Sequence, residues 1–241
     1  MYKGKNVILV IPAFNEQARI GRVVEGAKNA MPDVVVAVVN DSSTDATGAN
    51  AQAAGAHVLF HDHRRGVGAA LRTGLEYGRE ESFDIAVIMA GNGKDEPLEI
   101  PRLLDPIAND ESDFVIGSRY LVGGQLAGAT PLYRRWATRL HPFLVSSLLR
   151  KRLTESTNGF RAFRLGILDD ERINLHQRWL DAYGLEVYLL WKVLQLGYRY
   201  KEVPCTKTYP PRSAGYTKMM PIIGWWSILR PIFSLRLGLR S

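Results

Sequence analysis

Cysteine is nearly absent from this chain: Cys205 is the single thiol in 241 residues. One thiol excludes an internal disulfide framework and leaves no thiolate cluster for zinc. Within "EVPCTKTY" it reads as a small core residue. No uncharged apolar run reaches the roughly 18 residues that mark a membrane-spanning helix. The opening "MYKGKNVILVIPAF" lacks the apolar stretch and small-residue cleavage site of a secretory signal, so the fold is expected to face a reducing cytosol. The glycine-rich "HRRGVGAALRTG" has neither the Gly-Lys-Ser/Thr ending of a Walker loop nor the GxGxxG spacing, which disfavours a nucleoside-triphosphate hydrolase. Internal repeats and low-complexity stretches are missing too.

Acid is scarce in the second half. Residues 1–130 hold 12 Lys/Arg and 17 Asp/Glu, whereas residues 131–165 hold 8 and 1, and residues 187–241 hold 9 and 1. The net charge of +7 therefore comes from the later segments, a distribution that points to an anionic partner there, nucleic acid or a phospholipid surface.

What is present reads as one main domain, 46% hydrophobic, with a core of adequate size. The runs "NVILVI", "VVVAVV", "AHVLFH", "DIAVIM" and "DFVIGS" alternate with helical patterns. That is the signature of an α/β fold, a mostly parallel sheet with helices on both faces, since the strands are continuously apolar. Ligands of such sheets bind at the carboxyl ends of the strands, so "PAFNE", "NDSSTD", "HDHRRG" and "AGNGKDE" should converge on one crevice. Asn15 and Glu16 can cap a helix or hydrogen-bond a base or ribose. Asp41 has a stronger case for ligand contact than Asp45, which suits a helix N-terminus. Arg64, Arg65 and the Gly66 entry to a helix favour an anion. His57, His61 and His63 read as ordinary surface or core histidines rather than metal ligands.

The second half carries amphipathic stretches. In "YRRWATRLHPFLVSSLLRKRL", Trp136, Leu140, Phe143, Leu144 and Leu148 form a helical stripe with arginines beside it, and Pro142 should kink the helix. The segment 219–241 mixes Trp225, Trp226, Ile228 and Phe233 with Arg230, Arg236 and Arg240. It can lie on a bilayer or pack on the domain's own core. The expected division is therefore a catalytic unit over 1–218 and an amphipathic surface segment over 219–241.

Six segments in order, "VILVIPAFNE", "VVVAVVNDSSTDAT", "RRGVGAALRTGL", "DFVIGSRY", "TESTNGFRAFRL" and "GYRYKEVPCTKTYPPRSAGYTKM", resemble family 2 glycosyltransferases, specifically the dolichyl-phosphate mannose synthase and polyprenyl-phosphate glycosyltransferase branch. The resemblance implies a GT-A fold that binds a nucleotide-diphosphate sugar and transfers the sugar with inversion to a lipid phosphate. It implies a nucleotide site including Pro12, Ala13, Asn15, Glu16 and Asp41, beside which Arg65, Gly66 and Asn92 are further candidates for the nucleotide sugar. Arg119, Glu155 and Arg161 fall in catalytic motifs, and Arg212 and Lys218 in a phosphate-binding segment. Three departures stand out, the first being Glu155 where the family usually has Asp. Paired aspartates after the second strand appear as Asn40 and Asp41, and the metal-carrying Asp-x-Asp aligns with Ala90, Gly91 and Asn92.

A hard cation needs oxygen ligands, so a Mg²⁺ or Mn²⁺ cofactor is doubtful, with Asn92 and Asp95 as the candidate ligands. Either Lys94 replaces part of the metal's charge, with Asp95 or Glu96 near the sugar or a weakly bound ion, or the site is inactive. A lipid phosphate needs little from a base, and Arg134, Arg135 and Arg139 are candidates to guide it from the membrane. The expected location is thus cytoplasmic, peripheral to a membrane's cytoplasmic face. The rivals are a transferase for a soluble or glycan hydroxyl, with Asp95 or Glu155 as base, and a non-enzymatic nucleotide-sugar sensor. Nucleic-acid binding ranks last, because the aromatics lie on helical stripes.

Overall fold

The computed structural model describes residues 1–128, 130, 132–209 and 221–238; for 132–134 and 221–228 the description is of helical backbone only. Strands β1 (Val7–Ala13), β2 (Val35–Asn40), β3 (His57–Phe60), β4 (Ile85–Ile88) and β5 (Phe114–Ser118) follow the five apolar runs. Next come β6 (Gln125–Gly128), β7 (Arg161–Arg164), β8 (Tyr200–Pro204) and β9 (Thr206–Tyr209). Seven of them form one sheet in the order β3-β2-β1-β4-β7-β5-β8, and β6 pairs with β9 in a small parallel sheet of two strands.

Successive residues of β1 point to opposite faces, and both faces are buried. Ile8 and Val10 belong to one apolar cluster, Val7, Leu9 and Ile11 to the other. The second cluster lies under α1 (Ile20–Ala30), α2 (Thr47–Ala53) and α4 (Ile100–Ala108). The first lies under α3 (Val67–Glu80), α5 (Leu132–Leu149), α6 (Leu185–Gln195) and α7 (Pro221–Arg236). Burial on both faces is why the strands read as continuous apolar runs.

The sequence pattern did not indicate β7. It inserts between β4 and β5 and runs antiparallel to both, pairing Ile88 with Arg161 and Ile116 with Arg161. All other pairings in the large sheet are parallel. The reversal matters for the site: the beginning of β7 lies beside the end of β4, so the loop 154–160 arrives at the carboxyl edge of the parallel strands.

Helix α5 runs through Pro142, and its apolar residues divide. Val145 is buried and Leu148 packs against the core, whereas Trp136, Leu140 and Phe143 are 76%, 50% and 66% exposed. Helix α7 contacts α5 and α6. Helix α7 thus enters the main core through Ile232 and Leu235, while Phe233 and, just beyond the helix, Leu237 face outward. Among the described residues no helix is long and apolar enough to cross a membrane.

Candidate active site

The carboxyl edge of the sheet collects the loops after β1, β2 and β4, the residue after β5, the loop before β7, and β9. The β1–β2 side is tied together by short polar contacts. Asn15 adopts φ 52°, its Oδ1 accepts the Thr44 N–H at 2.9 Å, and its own N–H donates to Ser43 Oγ at 3.0 Å. Glu16 N–H donates to Thr47 Oγ1 at 2.7 Å, and its carboxylate pairs with Arg19 at 3.2 Å. Pro12 pairs with Val39 within the sheet, and the Ala13 carbonyl accepts the Asp41 N–H at 2.9 Å. Pro12, Ala13, Asn15 and Glu16 therefore converge at this edge, and each has a structural task there.

Asp41 is buried, and its carboxylate accepts from His61 Nδ1 at 2.7 Å, Arg65 N–H at 2.8 Å and Gly66 N–H at 2.8 Å. Burial alone would raise its pKa; the two backbone donors and His61 outweigh that and hold the carboxyl below the usual range, so it is ionised. His61 passes the connection on to Thr73 Oγ1 at 3.0 Å. Asp41 thus fastens β2 to the start of α3, and Arg65 and Gly66 serve it through their main-chain N–H groups.

The expected anion site at the start of α3 is closed by the chain itself. Gly68 N–H donates to Asp181 O at 2.8 Å and to Ala182 O at 2.9 Å, and Ala69 N–H donates to Asp181 O at 3.1 Å. The first N–H groups of a helix attract anions only while they lack partners; here carbonyls of the 181–182 turn take them. A Cβ at Gly68 would lie 1.8 Å from Leu180 O, so only glycine allows this approach. Arg64 and Arg65 stay exposed, and Arg64 stacks 4.1 Å from the Phe14 ring centroid.

The β4–β7–β5 side carries buried charge. Arg119, following β5, donates through Nε to Glu155 Oε2 at 2.6 Å, through Nη1 to the Tyr209 hydroxyl at 3.2 Å and through Nη2 to Thr157 Oγ1 at 2.8 Å. Glu155 is fully buried, and its other oxygen accepts the N–H groups of Ser156, Thr157 and Asn158 between 2.8 and 3.1 Å. Burial would raise the carboxyl's pKa, but Arg119 and these donors lower it below the ordinary value. Arg119 is correspondingly raised: burial opposes its charge, and Glu155 more than compensates.

Arg161, expected to be catalytic, does not open to the crevice. Its guanidinium is buried and donates to the carbonyls of Asn158, Ser156 and Glu186 at 2.7, 2.8 and 2.6 Å. It is a positioning residue that holds the 156–158 turn in shape.

The loop after β4 is held equally firmly. Asp95 is buried; Oδ1 accepts Lys207 Nζ at 2.7 Å and Oδ2 accepts Ala90 N–H at 3.1 Å. Asn92 Oδ1 accepts Lys94 N–H at 3.2 Å, and Glu96 caps Leu98 N–H at 3.3 Å. Lys94 Nζ lies 5.1 Å from the ring centroid of Tyr209, whose hydroxyl faces Arg119. Asn92, Asp95 and Glu96 do not make a divalent-cation site: the one buried carboxylate already carries an ammonium, and the Asn92 carbonyl turns back on its own loop. Among the described residues no group of three His, Cys, Asp or Glu is placed to hold a metal.

Arg135 and Arg139 are exposed on α5. Arg139 sits 5.1 Å from the Tyr120 ring centroid, and Arg119 sits 5.5 Å from the same ring. Tyr120 thereby joins the crevice to the basic face of α5. Arg212 and Lys218 lie outside the described residues, as does the side chain of Arg134. Lys207, Asn158, Tyr209 and Tyr120 were not singled out from sequence. Their motifs were visible, but nothing in the spacing of "TKTY" or "STNGF" marks a side chain as turned into a polar interior. A separate groove of about 700 Å³, lined by Glu76, Arg79, Asp84, Arg164 and Asp169, lies at the amino end of β4, away from these groups.

A mostly parallel sheet whose loops gather at its carboxyl edge is an α/β frame of the GT-A kind. Comparison with known proteins makes this specific. Residues 8–172 match glycosyl transferase family 2, and the chain belongs to that family and is a glycosyltransferase. It is 34% identical over 221 residues to an undecaprenyl-phosphate mannosyltransferase of Micrococcus luteus, covering 88% of this chain and 87% of that one. A polyprenol monophosphomannose synthase of Mycolicibacterium smegmatis is 31% identical, covering 89% and 81%. Among solved structures, glucosyl-3-phosphoglycerate synthase of M. tuberculosis aligns over 99% of this chain and 82% of its own, with TM-score 0.69 and 21% identity. A complex of that enzyme with Mn²⁺, UDP-glucose and phosphoglyceric acid aligns with TM-score 0.66 and 23% identity, over the same shares. At such identity the likeness shows the fold.

Proposed function

We propose that this glycosyltransferase moves a hexose, with inversion, from a nucleotide-diphosphate sugar to a polyprenyl phosphate at the cytoplasmic face of a membrane. The observation that carries the reading is the charge pattern at the carboxyl edge of the sheet. Arg119, Lys94 and Lys207 gather there, while both carboxylates that were candidate bases are bound. Glu155 accepts four contacts from its own turn and one from Arg119, and Asp95 accepts from Lys207 and Ala90. A hydroxyl acceptor must lose a proton and needs a base. A phosphate monoester is already anionic: its oxygen attacks the anomeric carbon, the bond from that carbon to the diphosphate oxygen breaks, and the nucleoside diphosphate departs with the electron pair. No proton has to be removed. What the site must supply is alignment and positive charge for the departing diphosphate.

The names of the relatives favour the same acceptor. So does the surface beside the crevice. Trp136, Leu140 and Phe143 form an outward stripe on α5 with Arg135 and Arg139 next to them, and Phe233 and Arg236 on α7, with Leu237 just beyond it, extend it. Aromatic and basic side chains together suit the headgroup level of an anionic bilayer. In this reading residues 1–218 carry catalysis, 219–241 complete the membrane-facing surface, and Arg135 and Arg139 draw in the lipid phosphate with Arg212 and Lys218. Asn15, Glu16 and their loop would face the nucleotide, and Lys94 the diphosphate.

The test is transfer from radiolabelled UDP- and GDP-sugars to a polyprenyl phosphate in vesicles, with soluble sugars and glycans as competing acceptors. Label appearing in the organic phase is the expected result. Label appearing only on soluble hydroxyl acceptors would assign the second reading, and donor binding without turnover on any acceptor would make the chain a sensor.

A further inference from the structure

Lys207, one of the positive charges gathered at the carboxyl edge, is buried and already matched. Its ammonium lies 2.7 Å from Asp95 Oδ1 and 2.8 Å from Asn158 Oδ1. The placement is rigid on every side. The main chains at Asp95 and Lys207 form an antiparallel bridge, and Thr208 N–H donates to Lys94 O at 2.8 Å. Asn158 is oriented by its amide nitrogen, which donates to Gly117 O at 2.8 Å and to Cys205 Sγ at 3.2 Å, so its oxygen is the atom left facing the lysine. Lys207 is a fixed cation. It sits on the one buried carboxylate of the loop that, by resemblance, would carry a metal ion, and that loop has Ala90, Gly91 and Asn92 in place of acids.

We propose that Lys207 is a built-in cation that takes the carboxylate on which a divalent ion would depend, so that sugar transfer by this chain proceeds without a divalent cation. The proposal rests on the functional reading above for the word transfer, and on the side chains alone for the cation. Two positive centres on one carboxylate repel each other strongly at such short range, so a divalent ion can enter only if Lys207 leaves. Lys207 acts through Asp95 and Asn158 and joins the loop 90–96 to the loop 154–160; it is a positioning residue whose charge also contributes to the field felt by the diphosphate.

Mn²⁺ binding to the full chain, followed by electron paramagnetic resonance without donor or acceptor, tests this independently of the assay for transfer. The wild type is expected to bind Mn²⁺ no better than Asp95→Asn. Lys207→Gln is expected to bind Mn²⁺ at least tenfold more tightly than the wild type, and Lys207→Gln combined with Asp95→Asn to lose that gain. A structural role alone would not create a metal site. Tight Mn²⁺ binding by the wild type that Asp95→Asn abolishes would overturn the proposal, as would a Lys207→Gln variant that folds and gains nothing. Should Lys207→Gln fail to fold, Lys207→Arg keeps the charge and is expected to remain blind to Mn²⁺; acquired Mn²⁺ binding there would count against the idea. In the transfer assay, wild-type rates within twofold with and without EDTA are expected, and a tenfold loss in EDTA overturns it. Absence of transfer to every polyprenyl phosphate tried would count against the functional reading, leaving the Mn²⁺ result to stand by itself.

Discussion

Arg119 and Glu155, 36 residues apart, meet through an Nε to Oε2 contact of 2.6 Å with neither side chain open to solvent. The pair does two things at once. One carboxylate oxygen fixes the guanidinium against Tyr209 and Thr157, and the other gathers the N–H groups of the 156–158 turn. The acid is thereby a holder of the arginine and of its loop.

Replacing Glu155 by Gln should remove the charge that Arg119 needs while keeping the shape. Breaking a buried ion pair from one side costs about 3–5 kcal/mol, so the urea midpoint should fall clearly. Transfer should fall further than the loss of folded protein explains, because the freed guanidinium is no longer aimed at the crevice. Equal kcat for the variant and the wild type in folded protein would remove this role.

The same pair sets an acid limb. Glu155 titrates below its ordinary value of 4.5 in the folded chain, as Asp41 does below 3.8. A carboxyl with a depressed folded pKa contributes stability that is present above the unfolded value and disappears as pH falls through the folded one. Glu202 has the opposite sign: burial raises it, so its ionised form weakens the fold as pH rises through the folded value. Unfolding free energy should therefore drop as pH falls below about 4.5, and Glu155→Gln should have a shallower slope there. Urea titrations between about pH 3 and 6 read the difference.

Much of this architecture was legible because strand periodicity and turn residues are local. The five apolar runs became five strands, and the loops at their ends converge as Asn15, Asp41 and Asp95 do. What could not be read depends on partners far along the chain. Strand β7 is only the four residues Arg161–Arg164, framed by arginines, and becomes a strand because β4 and β5 leave a gap for it. The helix entry at Gly66–Gly68 looks like an anion site until the carbonyls of Asp181 and Ala182, more than a hundred residues away, take the N–H groups of Gly68 and Ala69. Arg161 looks catalytic in its motif and is surrounded by carbonyls in space. Charge type was readable from sequence; which charges are already matched was not.

That close packing gives a stability prediction. Gly68→Ala must displace the Leu180 carbonyl from 1.8 Å of the new Cβ, and with it the turn that accepts Gly68 and Ala69. The melting midpoint should drop by several degrees, whereas Gly197→Ala, which meets nothing within 4 Å, should act only through its φ of 81°. Calorimetry of the two variants separates contact from backbone strain; equal midpoints would mean that the α3 entrance has room to relax.

The outward stripe on α5 is open to a cleaner test, since its residues do not support the core. Trp136 and Phe143 are exposed, so replacing both by Ser should leave the melting midpoint within about 2 °C; surface changes away from special features usually stay within about 0.5 kcal/mol. If these rings enter a bilayer, each loses much of its apolar contact there, at about 25 cal/mol per Å², and the double variant should bind vesicles with anionic lipid at least tenfold more weakly. Arg139→Ala should weaken the same binding and make it less sensitive to salt, because it removes a charge attracted to the surface. Flotation at low and high salt reads all three proteins. Unchanged flotation of the double variant, with donor binding intact, would move the membrane contact off this helix and leave Arg135 and Arg139 as a solvated face.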